Sequence, residues 1–262
     1  MSVYFQTLIS GSSGNSSLLV GRHTRLLVDA GFRSMRQCCE LLGEWVGELD
    51  AVLLTHLHSD HVSHWALRVF EEAGVPVFVH GPDADRLAEK HFGGRHFRQL
   101  RLVGFEGGGF QIGEFHVQPF EVPHYPDATT FGFRFSFSAG GEDHHVVTAS
   151  DLCEWRKVWR WFRDADLLCV EANYDPELLA LAWNPNSLYH LSNGECGQLL
   201  RQALRKSRYL PSAVVLAHLS DERNTPELAT RAVRSALDER GFAHLPLHVA
   251  PRHGPSARLL VC

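Results

Sequence analysis

The segment THLHSDHVSH, from Thr55 to His64, contains four histidines and one aspartate within ten residues. The preceding run LDAVLL has the length and composition of a buried strand, so these side chains follow the carboxyl end of a strand. Ligands of open α/β sheets usually bind at that edge. His56 and His58 would point the same way from an extended backbone, and Asp60 and His61 follow at once. Because imidazole nitrogens and carboxylate oxygens are ligands of zinc, manganese and iron, the segment predicts a metal site.

Further acids and histidines also follow predicted strands. They are Asp29 after TRLLV, His124 after FHVQPFEVP, Asp151 after HHVVTAS and His218 after SAVVLA. Strand ends that converge on one edge would bring these side chains together in a centre for two ions. We expect the first ion to be held by His56, His58 and His124, and the second by Asp60, His61 and His218. Asp151 would bridge the ions, and Asp29 would orient one imidazole by a hydrogen bond.

The composition is that of a globular protein with a sizeable core. The chain has 262 residues, of which 44% are hydrophobic and 21% are charged, and we expect a single domain over residues 1–262. The six cysteines include no CxxC pair, which favours reduced thiols over a cysteine-only zinc site. No apolar run approaches the ~20 residues that cross a bilayer, and no basic start precedes a long apolar segment. We therefore expect a cytoplasmic protein that does not bind a membrane.

The formal net charge of −5 provides no general attraction to nucleic acid, so such a contact would require a local basic surface. Two candidates are Arg86 to Arg101, with Lys90, Arg95 and Arg98 between them, and Arg201 to Arg208. Cations at these spacings more often form the hydrated side of a helix or loop.

The segment EWRKVWRWFRD mixes aromatic and basic residues and has two interpretations. Helical spacing places four apolar side chains on one core-facing stripe: Trp155, Val158, Trp159 and Phe162. The cations on the wetter face are Arg156, Arg160 and Arg163. Trp161 lies off the stripe, and stacking on a nucleic-acid base is the less favoured interpretation for it.

The stretch SGSSGNSS also has two interpretations. Its backbone N–H groups and hydroxyls would suit a phosphate, with Ser12 and Asn15 as substrate-binding residues. It would equally suit a tight turn between two strands.

Apolar and alternating runs predict an α/β protein. Strands are expected near residues 3–9, 16–20, 24–29, 51–55, 75–80, 100–104, 110–122, 131–137, 144–149, 166–171, 213–217, 246–250 and 257–261. Helices are expected near residues 34–42, 65–73, 82–91, 154–162, 192–206 and 226–239. SNGE at Ser192 predicts a capping box, and NTPE predicts a helix with Pro226 in its first turn. His64 is expected at a helix start or on the surface.

The motif THLHSDH resembles the HxHxDH signature of the metallo-β-lactamase superfamily, and Asp29, His124, Asp151 and His218 occur in that superfamily's order and approximate spacing. The shorter motifs SGSSGNSS, SDL, EANYD, HLSNGE and AHLSDERNTPEL resemble those of the YycJ/WalJ-type hydrolases. That subgroup is similar to tRNase Z and to the cyclic phosphodiesterases of phosphonate metabolism. Tyr174 stands where the subgroup pattern Glu-x-Asn-His-Asp has histidine, and HYPDATTFGF carries extra residues after His124.

This resemblance implies an αβ/βα four-layer sandwich with two mixed sheets flanked by helices and two divalent ions, zinc or manganese. It implies phosphodiester hydrolysis, with 5′ to 3′ exonuclease activity on double-stranded DNA suggested for the subgroup. Hydroxide held between paired ions would attack phosphorus at neutral pH, so no side-chain nucleophile is needed. His190 resembles the general acid of tRNase Z-like relatives, and its alternative is a structural bond to a neighbouring loop. Asp60 and His190 are thus the predicted catalytic residues.

The leading hypothesis is therefore a metal-dependent nuclease that acts on DNA. The enzymatic alternatives are RNA processing and hydrolysis of a small cyclic phosphodiester. The alternative outside enzymes is a metal-binding regulatory module. The sequence predicts no oligomeric state.

Overall fold

A computed structural model describes residues 2–92, 97–125, 129–239, 241–242 and 244–262. The strands are β1 Tyr4–Ile9, β2 Ser16–Val20, β3 Arg25–Val28, β4 Ala51–Leu53, β5 Val77–His80, β6 Leu102–Phe105, β7 Phe110–Ile112, β8 Phe115–Val122, β9 Thr130–Ala139, β10 Glu142–Ala149, β11 Leu167–Glu171, β12 Ala213–Ala217, β13 Leu247–Val249 and β14 Leu259–Leu260. The helices are α1 Met35–Leu42, α2 His64–Ala73, α3 Asp83–Phe92, α4 Trp155–Val158, α5 Pro176–Leu181, α6 Asn193–Leu204 and α7 Pro226–Asp238. Short 3-10 helices cover Gly43–Glu48, Trp159–Phe162 and Pro185–Tyr189.

The strands form two mixed sheets of seven strands. The first has the order β14-β1-β2-β3-β4-β5-β6, antiparallel from β14 to β3 and parallel from β3 to β6. The second has the order β13-β12-β11-β10-β9-β8-β7, with parallel pairing from β10 to β13. Each sheet thus passes from antiparallel neighbours to parallel strands, whose carboxyl ends share one edge. The prediction of an α/β fold with two mixed sheets and flanking helices is confirmed.

The chain forms two compact units. The first unit is Met1–Pro119 with Pro251–Leu260 and Cys262, and the second is Phe120–Ala250 with Val261. Buried side chains of the first sheet pack with those of α1 and α2, among them Leu27, Cys38 and Phe70. In the second unit, buried side chains of β10 to β12 pack with those of α6 and α7. Each unit thus has its own core, in which burying one large apolar side chain contributes about 1.5–3 kcal/mol. The assignment of both units to one domain stays a prediction.

Most predicted elements are confirmed, two expectations are wrong, and one helix lacks a prediction. The strand expected over residues 110–122 is a hairpin, because Gly113 adopts φ 53° in a two-residue turn between β7 and β8. The helix expected over 154–162 consists of the short α4 and a 3-10 turn, and α5 was not expected at all. The apolar stripe of that segment does face the core, with Val158 and Phe162 buried.

Other expectations concern local features. Helix α2 begins at His64 with Ser63 as its N-cap, and Ser192 forms the predicted capping box with Glu195. All six cysteines are free. In the part of the chain that the structure describes, no helix is long and apolar enough to cross a membrane. Arg95 and the segment 126–128, which belongs to the stretch after His124, lie outside the described residues, as does the side chain of Lys90.

Candidate metal centre

Three predicted site residues follow strands in a backbone conformation that is uncommon outside glycine. Asp29 after β3 has φ 61°, Asp151 after β10 has φ 57°, and His218 after β12 has φ 55°. A residue in this left-handed region costs about 1 kcal/mol or more and persists where its surroundings fix it, often at functional sites. All three side chains are buried at the ends of their strands. Their positions are therefore set by the backbone as well as by side-chain contacts.

Asp29 organises the histidines of the first unit. Its Oδ1 accepts hydrogen bonds of 2.9 Å from the backbone N–H and the hydroxyl of Thr55, and its Oδ2 lies 2.7 Å from His61 Nδ1. The Thr55 hydroxyl is also 3.0 Å from His56 Nδ1. Because a carboxylate only accepts hydrogen bonds, Nδ1 of His61 carries the hydrogen and its Nε2 presents a lone pair. Asp29 thus orients the His61 ring directly, and it orients the His56 ring through the Thr55 hydroxyl.

The ligand atoms of the His56–His61 loop lie close to one another. His56 offers a nitrogen within 4.8 Å of one from His58 and of one from His61. The His61 Nε2 lies 3.4 Å from the Asp60 Oδ2. His56 and His61 are buried, whereas the Asp60 side chain is 22% exposed. The structure thus brings together all four of the predicted ligands from this loop.

The stretch SGSSGNSS forms a turn between β1 and β2, where the Gly14 N–H donates to the Gly11 carbonyl over 3.2 Å. Asn15 is buried, and its Oδ1 accepts from the Gly11 N–H at 3.0 Å. Its Nδ2 lies 3.3 Å from Asp60 Oδ2 and 3.1 Å from His61 Nε2. Asn15 therefore braces the ligand loop, while Ser12 is exposed at the turn.

In the second unit, Asp151 lies among three histidines. Its Oδ1 is 3.6 Å from His124 Nε2 and 3.6 Å from His190 Nδ1, and its Oδ2 is 3.7 Å from His218 Nε2. His124 Nδ1 lies 3.0 Å from the Tyr189 carbonyl, to which it donates, so Nε2 is left as the ligand atom. Burial lowers the pKa of His124, an effect only partly offset by Asp151, and favours the neutral ring that a metal requires.

Glu171 is the functional residue that sequence reasoning missed. It is fully buried at the end of β11 and accepts hydrogen bonds from the backbone N–H groups of Asp151 and Leu191. Its carboxylate oxygens lie 3.2 Å from His190 Nδ1 and 3.3 Å from His218 Nδ1. Ligand atoms of Asp151, Glu171, His190 and His218 all lie within 4.8 Å of one another. The sequence does contain a signal for Glu171. LLCVE is an apolar run that ends in an acid, as do the runs that end at Asp29 and Asp151.

Electrostatics keep Glu171 ionised. Burial alone would raise the pKa of its carboxyl, but attraction to His190 and His218 and their hydrogen bonds hold it below its usual range. Burial would likewise lower the pKa of His190, yet attraction to Glu171 and Asp151 outweighs it and raises that pKa. Each member of this buried pair thus favours the charged form of the other.

Tyr174 and Asn173 lie beside the histidines and acids of the second unit. Asn173 Nδ2 donates to the His218 carbonyl at 2.9 Å, and the Tyr174 carbonyl accepts from the Asn193 N–H at the start of α6. Tyr174 pairs with Ser192 in a parallel bridge. The residue that departs from the subgroup motif thus holds the chain that leads from His190 into α6.

The donor chemistry of both sets fits divalent metal ions. His56, His61, His124 and His218 each bond through Nδ1 to a hydroxyl, carboxylate or carbonyl, which leaves Nε2 as the ligand atom. Asp60 and Asp151 add hard oxygen atoms beside them. Nitrogen and oxygen donors in this ratio suit zinc and manganese, and a cysteine ligand is absent from the described groups.

A family model described as "Beta-lactamase superfamily domain" matches residues 24–219, and the chain belongs to this superfamily. The Exodeoxyribonuclease WalJ of Streptococcus pneumoniae is 28% identical over 236 residues, which cover 86% of this chain and 84% of that protein. The Exodeoxyribonuclease YycJ of Bacillus anthracis is 26% identical over 251 residues, which cover 92% of each. The resemblance to the YycJ/WalJ-type subgroup is thus confirmed.

Solved structures share the fold. The metallo-β-lactamase fold protein YhfI from Bacillus subtilis superposes with a TM-score of 0.71 at 18% identity, covering 97% of this chain and 99% of that one. Human tRNase Z, short form, superposes with a TM-score of 0.63 at 15% identity, covering 98% and 99%. The protein is therefore a metal-dependent hydrolase of metallo-β-lactamase fold, and the interpretation as a regulatory module without activity is not supported.

Proposed function

We propose that this protein is a nuclease that hydrolyses phosphodiester bonds of double-stranded DNA in the 5′ to 3′ direction. The Glu171–His190 pair beside Asp151 carries the proposal, because hydrolysis of an unactivated phosphodiester needs a proton for the leaving oxygen. The naming of two relatives as exodeoxyribonucleases supports DNA as the substrate.

We propose seven metal ligands for two divalent ions, zinc or manganese. They are His56, His58 and His124 for one ion, Asp60, His61 and His218 for the other, and Asp151 for both. The chemistry of the donors and the order of the ligands along the chain support this assignment. When bound, paired divalent ions supply a nucleophile at neutral pH and stabilise the oxygens around phosphorus.

His190 is placed to hold a proton for the leaving oxygen. Glu171 accepts from its Nδ1 at 3.3 Å, so the ring is fixed in one orientation and Nε2 remains for the substrate. Because Glu171 is fully buried and bonded to two backbone N–H groups, it cannot follow the ring if the ring turns. Glu171 is thus a positioning residue, and His190 the proposed general acid.

Asp60 is the second proposed catalytic residue. The Asn15 amide donates to its Oδ2 at 3.3 Å, and its side chain retains partial exposure. An oriented and accessible carboxylate oxygen can accept the proton that the attacking water releases. Substrate binding by Ser12 stays a prediction, and the contacts of Asn15 support a positioning role rather than substrate binding for that residue.

A panel of substrates tests the function. Protein reconstituted with zinc or manganese is incubated with duplex DNA labelled at either 5′ or 3′ end, single-stranded DNA, structured RNA, a cyclic phosphodiester and a nitrophenyl phosphodiester. We expect release of nucleotides from the 5′ end of the duplex to be the fastest reaction. Faster cleavage of RNA or of the cyclic compound would favour the alternative substrates, which the same side chains could serve. No hydrolysis of any phosphodiester would refute the proposal.

A further inference from the structure

We propose that the second unit carries a surface that binds the phosphate backbone of duplex DNA away from the bond that is cleaved. This basic surface consists of Arg156, Lys157, Arg160 and Arg163 from α4 and the following 3-10 turn, and of Arg201, Arg205, Lys206 and Arg208 around the end of α6. The identity of the ligand as DNA rests on the proposed function. The surface itself rests on the charges and contacts that follow.

The charge of this surface opposes that of the chain. Residues 154–166 and 201–208 contain eight of the 25 lysines and arginines but only three acids, so they carry a formal charge of +5 in a chain of −5. Six of these cations are exposed: Arg156, Lys157, Arg160, Arg205, Lys206 and Arg208. A cluster of exposed cations on an acidic protein indicates a polyanionic partner at that place.

Hydrogen bonds join the two basic segments into one surface. The Arg163 Nε donates to the Lys206 carbonyl at 2.9 Å, and the Asp164 N–H donates to the Ser207 Oγ at 3.1 Å. The Arg208 N–H donates to the Asp164 Oδ1 at 2.6 Å. Segments about 40 residues apart in the sequence are therefore held side by side.

Half of these eight charges are paired with acids within the protein. Lys157 pairs with Glu154 at 2.9 Å, Arg201 pairs with Glu239, and Asp164 lies near Arg163 and Arg208. Within the described residues, no acid lies at ion-pair distance from the remaining four cations, Arg156, Arg160, Arg205 and Lys206.

A purely structural explanation covers only part of the surface. Arg205 and Lys206 follow the carboxyl end of α6, where cations stabilise the helix dipole. Arg156 and Arg160 have no such role, because α4 spans a single turn; each instead lies over a neighbouring tryptophan ring, Trp155 at 4.7 Å and Trp159 at 5.1 Å. Stacked guanidinium groups are held in place with their charge exposed, which suits contacts with phosphate.

Helix α6 sets the distance between this surface and the proposed general acid. The helix begins three residues after His190 and has 12 residues, so its far end is about 18 Å away along its axis. Duplex DNA advances about 3.4 Å per base pair, so the surface would meet phosphates roughly five base pairs from the cleaved bond. Binding should therefore tighten with duplex length and then level off.

Two pairs of neutralising substitutions test the surface independently: Arg205→Gln with Lys206→Gln, and Arg156→Gln with Arg160→Gln. Affinity for a long duplex should fall about tenfold for each pair at physiological salt, and the slope of log K against log salt should become shallower by about 2. Turnover of a small nitrophenyl phosphodiester should not change. Arg22→Gln with Arg231→Gln removes two exposed cations elsewhere and should leave both measurements unchanged.

Thermal unfolding of each variant checks that it is folded. Binding is measured with calcium in place of zinc or manganese, so that the duplex is not hydrolysed during the measurement. An unchanged salt slope in both folded pairs would overturn the surface, as would binding of anionic phospholipid vesicles in preference to duplex DNA. Equal losses on short and long duplexes would also overturn it. If the wild-type protein binds duplex in this way but hydrolyses no phosphodiester, the surface stands and the proposed function fails.

Discussion

Asp151 is the residue on which three histidines of the second unit converge, because its two oxygens face their imidazoles. Asp151→Ala should therefore lose bound metal and hydrolytic activity together, with activity lower by at least 10²-fold. Elemental analysis and turnover of a nitrophenyl phosphodiester measure the two losses. Asp238→Ala, at the exposed end of α7, is the control and should match the wild type. Full metal content with near-normal turnover in Asp151→Ala would show that it bridges nothing.

Substitution of His190 distinguishes a catalytic role of this residue from a structural one. If its Nε2 protonates the leaving oxygen, His190→Ala should keep its metal and its fold while hydrolysis of DNA falls by ~10²–10⁴-fold. The loss should shrink on a nitrophenyl phosphodiester, because that leaving group departs without a proton. Glu171→Gln should show the same dependence more weakly, since it removes the negative charge beside the ring while His190 stays in place. Equal losses on both substrates, or loss of metal, would return His190 to a structural role.

The single residues show what sequence reasoning could reach. Histidines and acids after strands are visible in the sequence, because an apolar run and its polar end are local features. The role of Glu171 is not local, since it depends on β11 lying between β10 and β12, which brings Asp151 and His218 to either side of it. The contacts of Asn15 also depend on a loop 45 residues away.

At the scale of elements, the ligand loop is fixed by close backbone packing around Gly31. A Cβ at this position would lie 1.8 Å from the Asp60 carbonyl oxygen and 2.8 Å from the Asn15 nitrogen. The Ala30 N–H donates to the His61 carbonyl at 2.7 Å, and the Asn15 N–H donates to the Asp60 carbonyl at 2.7 Å. Three loops of the first unit thus meet at a position that has no room for a side chain.

Gly31→Ala should therefore displace the loop that carries Asp60 and His61. We expect the free energy of unfolding to fall by about 1–3 kcal/mol and metal affinity to fall with it. Gly47→Ala is a matched control, because a Cβ there meets no atom within 4 Å and the change should be neutral or slightly stabilising. Chemical denaturation and metal titration of both variants provide the comparison. Wild-type metal affinity in Gly31→Ala would mean that the loop tolerates the shift.

Elements with strong local signals were predicted well, and weakly marked ones were not. Helix α6 has a capping box and helix α7 has Pro226 in its first turn, and both lie where the sequence placed them. The α4 segment has helical spacing, yet the α-helix ends at Val158 and the chain continues as a 3-10 turn, with Val158 and Phe162 buried in the core. The split of residues 110–122 depends on one glycine at positive φ, which alternation alone does not reveal.

At the scale of the molecule, both units present their polar residues in the same way. Parallel strands β3 and β4 lead to Asp29 and the loop from Thr55, and parallel strands β10, β11 and β12 lead to Asp151, Glu171 and His218. In each unit an acid in the left-handed conformation follows the first of these strands. The recurrence explains why a rule about strand ends, applied along the whole sequence, predicts candidate ligands in both units.

Metal content is the prediction that concerns the whole chain. If the seven proposed ligands hold two ions, protein reconstituted with zinc or manganese should bind up to two equivalents of metal. His58→Ala and His61→Ala should each lose mainly one equivalent. Bound metal stabilises only the folded state, by about 2.7 kcal/mol when free metal is at a hundred times its Kd. A chelator that removes the metal should therefore lower the melting temperature. Trp65→Ala, at the exposed start of α2, is the control and should keep full stoichiometry. Elemental analysis and thermal unfolding with and without chelator measure both effects. A folded protein that retains no metal after reconstitution, and whose melting temperature a chelator leaves unchanged, would contradict the entire ligand assignment.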